Sequence, residues 1–220
     1  MSKNNVIFCD FPQGGPEWLR ARLGVVTASQ VHALMLNATK KVPTYKEARN
    51  TYMMQLVNEV CTGEVEELNA RALDWGKANE EAAIAAYSFD SGNEVVRISL
   101  VYKNADKRMG ASADGKLVGK NHGCEIKCPM NGVNHLNFIF NEKIKPEYIT
   151  QMQFGMYVAG WDKWDFVSYN PRMKKSLIHF ETIERDEEMM KYFDDELPKF
   201  LYEMDKKLEQ IGMEWGAQWT

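Results

Sequence analysis

The spacing of apolar positions changes twice along this chain, dividing it into a helical beginning, a strand-rich middle and a helical close. The segment Thr27-Ala28-Ser29-Gln30-Val31-His32-Ala33-Leu34-Met35 opens on hydroxyl residues suited to capping a helix. The basic stretch from Lys40 to Thr44 contains Pro43 and reads as a loop. Helices are predicted over Lys46 to Cys61, ending at Gly63, and over Asn69 to Tyr87, with a stop near Asp90-Ser91-Gly92. From Glu94 the period shortens. Glu94 to Tyr102, Met109 to Val118 and Cys124 to Cys128 have strand character. Lys145 to Ala159 returns to helix, with Pro146 in its first turn and Gly160 just beyond its end. Two more strands are expected at Asp165 to Tyr169 and Leu177 to Ile183. An amphipathic helical region from Asp186 to Ile211 follows, interrupted or kinked at Pro198. Helices around a central sheet of about five strands make an α/β or α+β domain.

Size and composition narrow the class. With 220 residues, 45% of them hydrophobic, and with no repeat, low-complexity tract or linker, the chain reads as one globular domain spanning 1–220. No apolar run reaches membrane-spanning length, and Met-Ser-Lys-Asn-Asn is not a secretory signal, so the expected location is the cytoplasm, away from membranes. The four cysteines fit that compartment as reduced, buried thiols. Cys124, Cys128 and His122 could be imagined around zinc, but no second close cysteine pair completes the set. A net charge of −4 does not advertise a nucleic-acid binder, yet binding phosphates needs only a local basic surface. Arg20/Arg22, Lys40/Lys41, Lys143/Lys145 and Arg172/Lys174/Lys175 are candidate patches, and each is equally readable as a solvated face.

The chemistry concentrates in the middle of the chain. Asp114 precedes Glu125-Ile126-Lys127 by eleven residues. Side chains alternate along a strand, so Glu125 and Lys127 share one side and Ile126 takes the other, with Cys124 and Cys128. If the Gly119-Lys120-Asn121-His122-Gly123 segment turns the chain back, Asp114 can reach the same side of the sheet. Two carboxylates there suit a hard cation, and a lysine stands where an attacking water must lose its proton. The bland alternative is a hairpin with solvated charges. Glu80, in Trp-Gly-Lys-Ala-Asn-Glu-Glu, offers a third carboxylate for a second ion or is simply an exposed helix acid; Glu81 points about 100° away and serves as a control. Gln153 and Tyr157 share a helix face, where the glutamine could orient Lys127 or contact DNA, or both could belong to a half-buried stripe. Thr27 and Ser29, with Arg22 upstream, form either an anion site at a helix start or ordinary capping beside a surface arginine.

Taken together, the motifs are more specific. Trp18-x3-Arg22-Leu-Gly-Val-Val-Thr27-Ala-Ser29, Trp75-Gly-Lys-x2-Glu80, Ser112-x-Asp114-Gly, Glu125-x-Lys127-Cys-Pro and Gln153-x3-Tyr157 follow in one order. In this they resemble the phage-type recombination exonucleases, the family of the phage lambda alkaline exonuclease. The likeness continues through Val60-Cys-Thr-Gly63, Tyr169-Asn-Pro-Arg-Met173 and Ile183-Glu-Arg-Asp186 to Glu214-Trp-Gly-Ala-Gln-Trp219, leaving residues 1–16 as a poorly matched extension.

The resemblance implies a restriction-endonuclease-like core with a mixed sheet. It also implies a magnesium-dependent, processive 5′→3′ exonuclease that releases mononucleotides from duplex ends and leaves a 3′ single-stranded tail. Relatives form a ring-shaped homotrimer and work with a single-strand annealing protein. By position, Asp114, Glu125 and the carbonyl of Ile126 become metal ligands, Glu80 helps hold a second Mg2+, and Lys127 activates or positions water beside Gln153. Manganese would substitute for magnesium, and calcium would bind without supporting cleavage. Arg22, Thr27, Ser29 and Ser112 match a pocket for the 5′ phosphate, and Leu73 an apolar wedge that splays the strands. Two positions depart from the family: Ala113 replaces a proline that is no ligand, and Val133 stands where relatives supply an arginine to the phosphate pocket. A site-specific endonuclease of the same superfamily and a non-catalytic DNA-end binding protein are the competing readings. Retention of Glu80, Asp114, Glu125 and Lys127 together weighs against the second.

Overall fold

A computed structural model describes residues 6–35, 44–65, 70–141 and 144–220. The loop expected at Lys40 to Thr44 lies mostly outside them. In chain order the elements are β1 (Ile7–Cys9), α1 (Pro16–Ala21), β2 (Val26–Thr27), α2 (His32–Met35), α3 (Thr44–Thr62), α4 (Ala70–Ser91), β3 (Val95–Val96), β4 (Leu100–Tyr102), β5 (Met109–Ala111), β6 (Gly115–Leu117) and β7 (His122–Lys127). They continue with α5 (Gly132–Asn141), α6 (Pro146–Ala159), β8 (Lys163–Tyr169), β9 (Ile178–Glu184), α7 (Glu187–Gln210) and a closing 3-10 turn at Ala217–Trp219.

The expected five-stranded mixed sheet is present, ordered β3-β6-β7-β8-β9, with β7 and β8 parallel and its other neighbours antiparallel. A second sheet, ordered β1-β4-β5-β2, was not expected. It arises because two runs read as continuous strands each break in the middle. Glu94 to Tyr102 becomes β3 in the larger sheet and β4 in the smaller; Met109 to Val118 becomes β5 in the smaller and β6 in the larger. The chain therefore crosses between sheets at residues 97–99 and returns through Ser112-Ala113-Asp114. Alternation does not reveal such corners, because Leu100, Val101 and Tyr102 are all buried whichever face they take.

Each face of the larger sheet has its own cover. On one, Leu117, Cys124, Ile126, Val167 and Tyr169 pack with Ala83 and Tyr87 of α4. On the other, Trp164 and Phe166 meet Phe138 of α5 and the apolar positions of α6, against which α7 lays Met190, Phe193, Leu197 and Phe200. Asp165 is buried on the α4 face. Tyr87 and Thr182 donate hydroxyl hydrogen bonds to its carboxylate, and His122 Nε2 lies 2.9 Å away. Burial works to raise its pKa, but these partners pull it below the ordinary value, so a charged carboxylate ties α4 to β8 and β9. Helix α7 runs unbroken through Pro198, which is exposed, so the expected interruption is absent. Helix α5 was not expected from the sequence. Gly132-Val-Asn-His-Leu-Asn contains poor helix formers, and burial of His135 and Phe138 accompanies the helix instead. No helix among the described residues is long and apolar enough to cross a membrane.

Close packing holds α6 on the sheet. A Cβ at Gly155 would stand 2.5 Å from the Trp164 ring of β8. Gly155→Ala is therefore expected to cost about 1–3 kcal/mol through overpacking, read as a lowered midpoint in denaturant unfolding. An unchanged midpoint would show that α6 has slack to move.

Candidate active site

Strand β6 begins at Gly115, one residue after Asp114, whereas β7 runs on past the point opposite that start. Gly115 is in register opposite Cys124, so Glu125, Ile126 and Lys127 extend past their antiparallel neighbour. Asp114 closes the gap. Its backbone N–H donates to the Cys124 carbonyl at 3.2 Å, and its Oδ2 accepts the Ile126 N–H at 2.6 Å. The carboxylate thus continues the ladder at the sheet's edge, and the Ile126 carbonyl points to that same edge. A Cβ at Gly115 would come 2.3 Å from Val95 Cγ1 and 3.0 Å from Cys124 Sγ, so glycine permits this closeness.

Glu125 is buried beside this edge. Lys127 Nζ donates to its Oε1 at 2.5 Å, and Gln151 Nε2 of α6 donates to the same oxygen at 2.8 Å. Its Oε2 is buried with no hydrogen-bond partner among the described groups. Tyr148, one turn before Gln151, sets its ring 4.9 Å from Lys127 Nζ. Asp114 has its pKa raised well above the ordinary value, first by burial and then by Glu125, with Glu80 adding to the effect; Lys127 and the Ile126 N–H oppose it. For Lys127, burial favours the neutral amine, but Glu125 and Asp114 outweigh it and the pKa rises. Asp114 therefore lies within electrostatic reach of Glu80, Glu125 and Lys127, while Glu81 is exposed.

Gln153 is not among them. Its Nε2 donates to the Glu184 carbonyl at 2.7 Å and its Oε1 accepts the Asp186 N–H at 2.9 Å, which ties α6 to the entry of α7. Tyr157 likewise bonds Asp194. Gln151 is the glutamine at the site. The sequence contains both glutamines two apart on a helix, about 200° around its axis, and nothing local says which side meets β7.

The donor set fits a hard cation, since carboxylate oxygens converge and one buried Glu125 oxygen lacks a partner. Among the described residues, however, no three His, Cys, Asp or Glu side chains are already gathered as a ligand group. Glu80 instead pairs with Arg97 at 3.1 Å. The thiols stay protonated. Burial and then the nearby carboxylates raise Cys124 well above its ordinary pKa and push Cys128 up to about 12, and His122 pairs with Asp165.

A second cluster adjoins the first through Ser112. Both Arg22 Nη1 and Trp18 Nε1 donate to Ser112 Oγ at 3.1 Å, and the Arg22 guanidinium lies 4.1 Å over the Trp18 ring. Burial lowers the Arg22 pKa, opposed by Tyr52, Glu59 and Tyr102. Trp18 was part of the sequence motif but was given no role there; its four-residue separation from Arg22 was the signal. Thr27 and Ser29 do not open a helix. Thr27 lies in β2, paired with Gly110 of β5, its N–H bonded to the Tyr52 hydroxyl, and α2 begins only at His32. Thr27 is buried and Ser29 exposed on the segment beside β5, the strand that leads into Ser112. Val133 is exposed on α5. Leu73 lies on α4, but its side chain is outside the described residues. A cleft of about 250 Å³ opens beside Lys127, bordered by Asn134, Asn137, Phe138, Lys145 and Tyr148.

Residues 17–162 match the YqaJ-like viral recombinase domain, and the chain belongs to that family. Its structure is similar to the alkaline exonuclease LHK-Exo of Laribacter hongkongensis. Against the complex with dAMP the TM-score is 0.79 at 36% identity, and against a second crystal structure 0.77 at 34%, covering 90% of this chain and 96% of that one in both cases. An uncharacterized Escherichia coli (strain K12) protein, ExoD, is 44% identical over 78 residues, 36% of this chain and 90% of that protein. A phage-related exonuclease of Haemophilus somnus 129PT shares the fold at TM-score 0.71 and 15% identity, covering 86% of this chain and 96% of that one. The likeness to the phage-type recombination exonucleases, and the fold it implied, are borne out.

The raised pKa of Asp114 makes stability depend on pH. In the metal-free protein the folded state keeps a proton that the unfolded chain releases in the ordinary carboxylate range. The folded state then binds more protons, so this contribution is fully present below the ordinary Asp pKa and is lost as pH rises through the raised one. Thermal unfolding in chelator should show stability falling over that window, and Asp114→Asn should flatten the fall. An identical pH profile in the variant would contradict the assignment.

Proposed function

We propose that this chain is a magnesium-dependent 5′→3′ exonuclease that acts on linear duplex DNA, releases mononucleotides and leaves a 3′ single-stranded tail for strand annealing. The observation that carries this reading is the short link Ser112-Ala113-Asp114. It joins the Arg22–Trp18–Ser112 cluster to the carboxylates. Two residues of extended chain span at most roughly 7 Å, the scale of one nucleotide. A 5′ phosphate held at Ser112 therefore leaves the next phosphate of the same strand beside Asp114. An endonuclease has no use for a terminal-anion pocket at that distance. The similarity to LHK-Exo over 90% of the chain supports the same activity.

In this reading Asp114, Glu125, the Ile126 carbonyl and Glu80 hold divalent cations, which lower the pKa of a bound water and offset charge on the cleaved phosphate. Gln151 and Lys127 orient Glu125 through Oε1. Lys127, whose Nζ stands beside Glu125, would activate or position the attacking water. Arg22 and Ser112, with Thr27 and Ser29 alongside, receive the 5′ phosphate, a charge that compensates for the burial of Arg22. Asn134, Asn137 and Lys145 border the cleft through which the substrate strand would pass. Leu73 is the proposed wedge. Assembly into a closed trimeric ring, processivity, a single-strand annealing partner and a cytoplasmic location complete the proposal.

Lys127→Ala is expected to lower single-turnover cleavage by about 10²–10⁴ while DNA-end binding in calcium persists, with Glu81→Ala near wild type. Linear duplexes blocked at either end, with covalently closed circles as control, report polarity. Cutting of closed circles would favour the endonuclease, and near-normal turnover in Lys127→Ala would remove its role.

The pocket predicts faster digestion of 5′-phosphorylated than 5′-hydroxyl ends, with the ratio reduced by Arg22→Ala through loss of a charged contact worth roughly 1.5–3 kcal/mol. Equal initial rates on both ends in the unaltered protein would sink the pocket assignment.

A further inference from the structure

Arg97 is the one cation paired with Glu80 among the described ion pairs, at 3.1 Å. It leaves β3 where that strand gives way to the crossing toward β4. The register Val95↔Leu117 and Val96↔Lys116 carries Arg97 abreast of Gly115, next to Asp114. Val95 packs on the α4 face, and the residue two further along returns to that face, which is how Arg97 meets a carboxylate on α4.

Three carboxylates, Glu80, Asp114 and Glu125, then face two protein cations, Lys127 and Arg97. A divalent cation entering this set reverses the balance and competes directly with Arg97 for Glu80. The pair is poorly placed to resist. The Arg97 side chain is 53% exposed and that of Glu80 21%, and such pairs are weak. Lys127, in contrast, is half-buried and shared between Glu125 and the Tyr148 ring. Once displaced, a guanidinium one strand away from the cation site is repelled by it and free to fork onto the oxygens of a phosphate.

We propose that Arg97 is a displaceable counter-ion. It holds Glu80 in the metal-free protein and moves onto a DNA phosphate next to the cleaved bond when a divalent cation claims Glu80. This rests on the nuclease reading above. The device couples the two loads of the site, since cation binding releases the side chain that then grips the substrate. Metal-free protein should accordingly hold DNA less firmly than protein with calcium, beyond what the added charge of the ion supplies.

The test uses the full chain with Arg97→Gln and Arg97→Lys. Manganese binding without DNA, followed by calorimetry or electron paramagnetic resonance, should tighten about two- to fivefold in Arg97→Gln, the reach of an exposed pair. DNA-end binding in calcium should weaken several-fold, and its logarithmic salt slope should fall by about 0.9, one phosphate contact. Arg97→Lys should lie between the unaltered protein and Arg97→Gln in both measurements. Unchanged manganese affinity in Arg97→Gln overturns the counter-ion role, and an unchanged salt slope overturns the transfer to phosphate. Glu80→Gln is the separate control. If it left manganese stoichiometry and affinity intact, the cation-site reading of Glu80 itself would fail.

Discussion

Because β6 begins only at Gly115, the N–H of Ile126 on β7 has no strand partner, and Asp114 Oδ2 takes it. An unpaired amide at a half-buried sheet edge would carry a desolvation cost of roughly 1–3 kcal/mol, so the carboxylate is needed there for the sheet as well as for any ion. That contact draws in the rest of the site. It places Asp114 within the field of Glu125 and Glu80, where burial first and then their repulsion raise its pKa. Lys127 enters as the group that lessens the excess negative charge. The backbone thus dictates where the carboxylates converge, and the electrostatics follow from that placement.

The second consequence is the corner. Because Asp114 must sit just before the start of β6, the three residues Ser112-Ala113-Asp114 carry the chain from the smaller sheet to the larger. Ser112 remains with the smaller sheet, where α1 brings Trp18 and Arg22 to its hydroxyl. Two sheets are therefore not incidental to this architecture. One presents the Arg22–Trp18–Ser112 cluster and the other the carboxylates, and the corner sets the distance between them. Tyr87 on α4, anchored through Asp165, serves the same geometry from the opposite face, since Glu80 lies two turns earlier on the same helix side.

Much of this was legible in the residues, and the exceptions have a common cause. Glu125-x-Lys127 could be read because strand alternation alone puts both side chains together, and Asp114 because a turn of known residues follows it. The helices from Lys46, Asn69 and Lys145 were found because their periodicity and stops are local properties. The corners were missed because Arg97-Ile98-Ser99 and Ser112-Ala113-Asp114 contain no glycine or proline to mark a break between the runs on either side. Thr27 and Ser29 have the hydroxyls of a helix cap, yet Val25-Val26-Thr27 is also a β-branched run, and pairing with β5 decided between the two. Helix α5 has apolar positions at helical spacing, but Gly132 and its asparagines are poor helix formers, and it packs Phe138 over β8. Local signals held where one element sufficed and failed where the outcome belonged to a contact between two.

Glutamine on α6 shows that distinction at atomic scale. Met152, Phe154, Met156 and Val158 are all buried, so the helix has no solvent face by which to choose between Gln151 and Gln153. Gln153 is taken up by Glu184 and Asp186, and its amide becomes part of the junction with α7. Gln151 goes to Glu125, where Lys127 already donates to the same oxygen. Two donors on Oε1 and none on a buried Oε2 is an uneven use of hydrogen bonds, and a buried carboxylate oxygen without a donor has a cost. The cost is intelligible if the carboxylate is being oriented. Fixing one oxygen through Lys127 and Gln151 leaves the other pointed and unshielded, so that a cation meets a ligand whose direction is already set rather than one that must first be ordered.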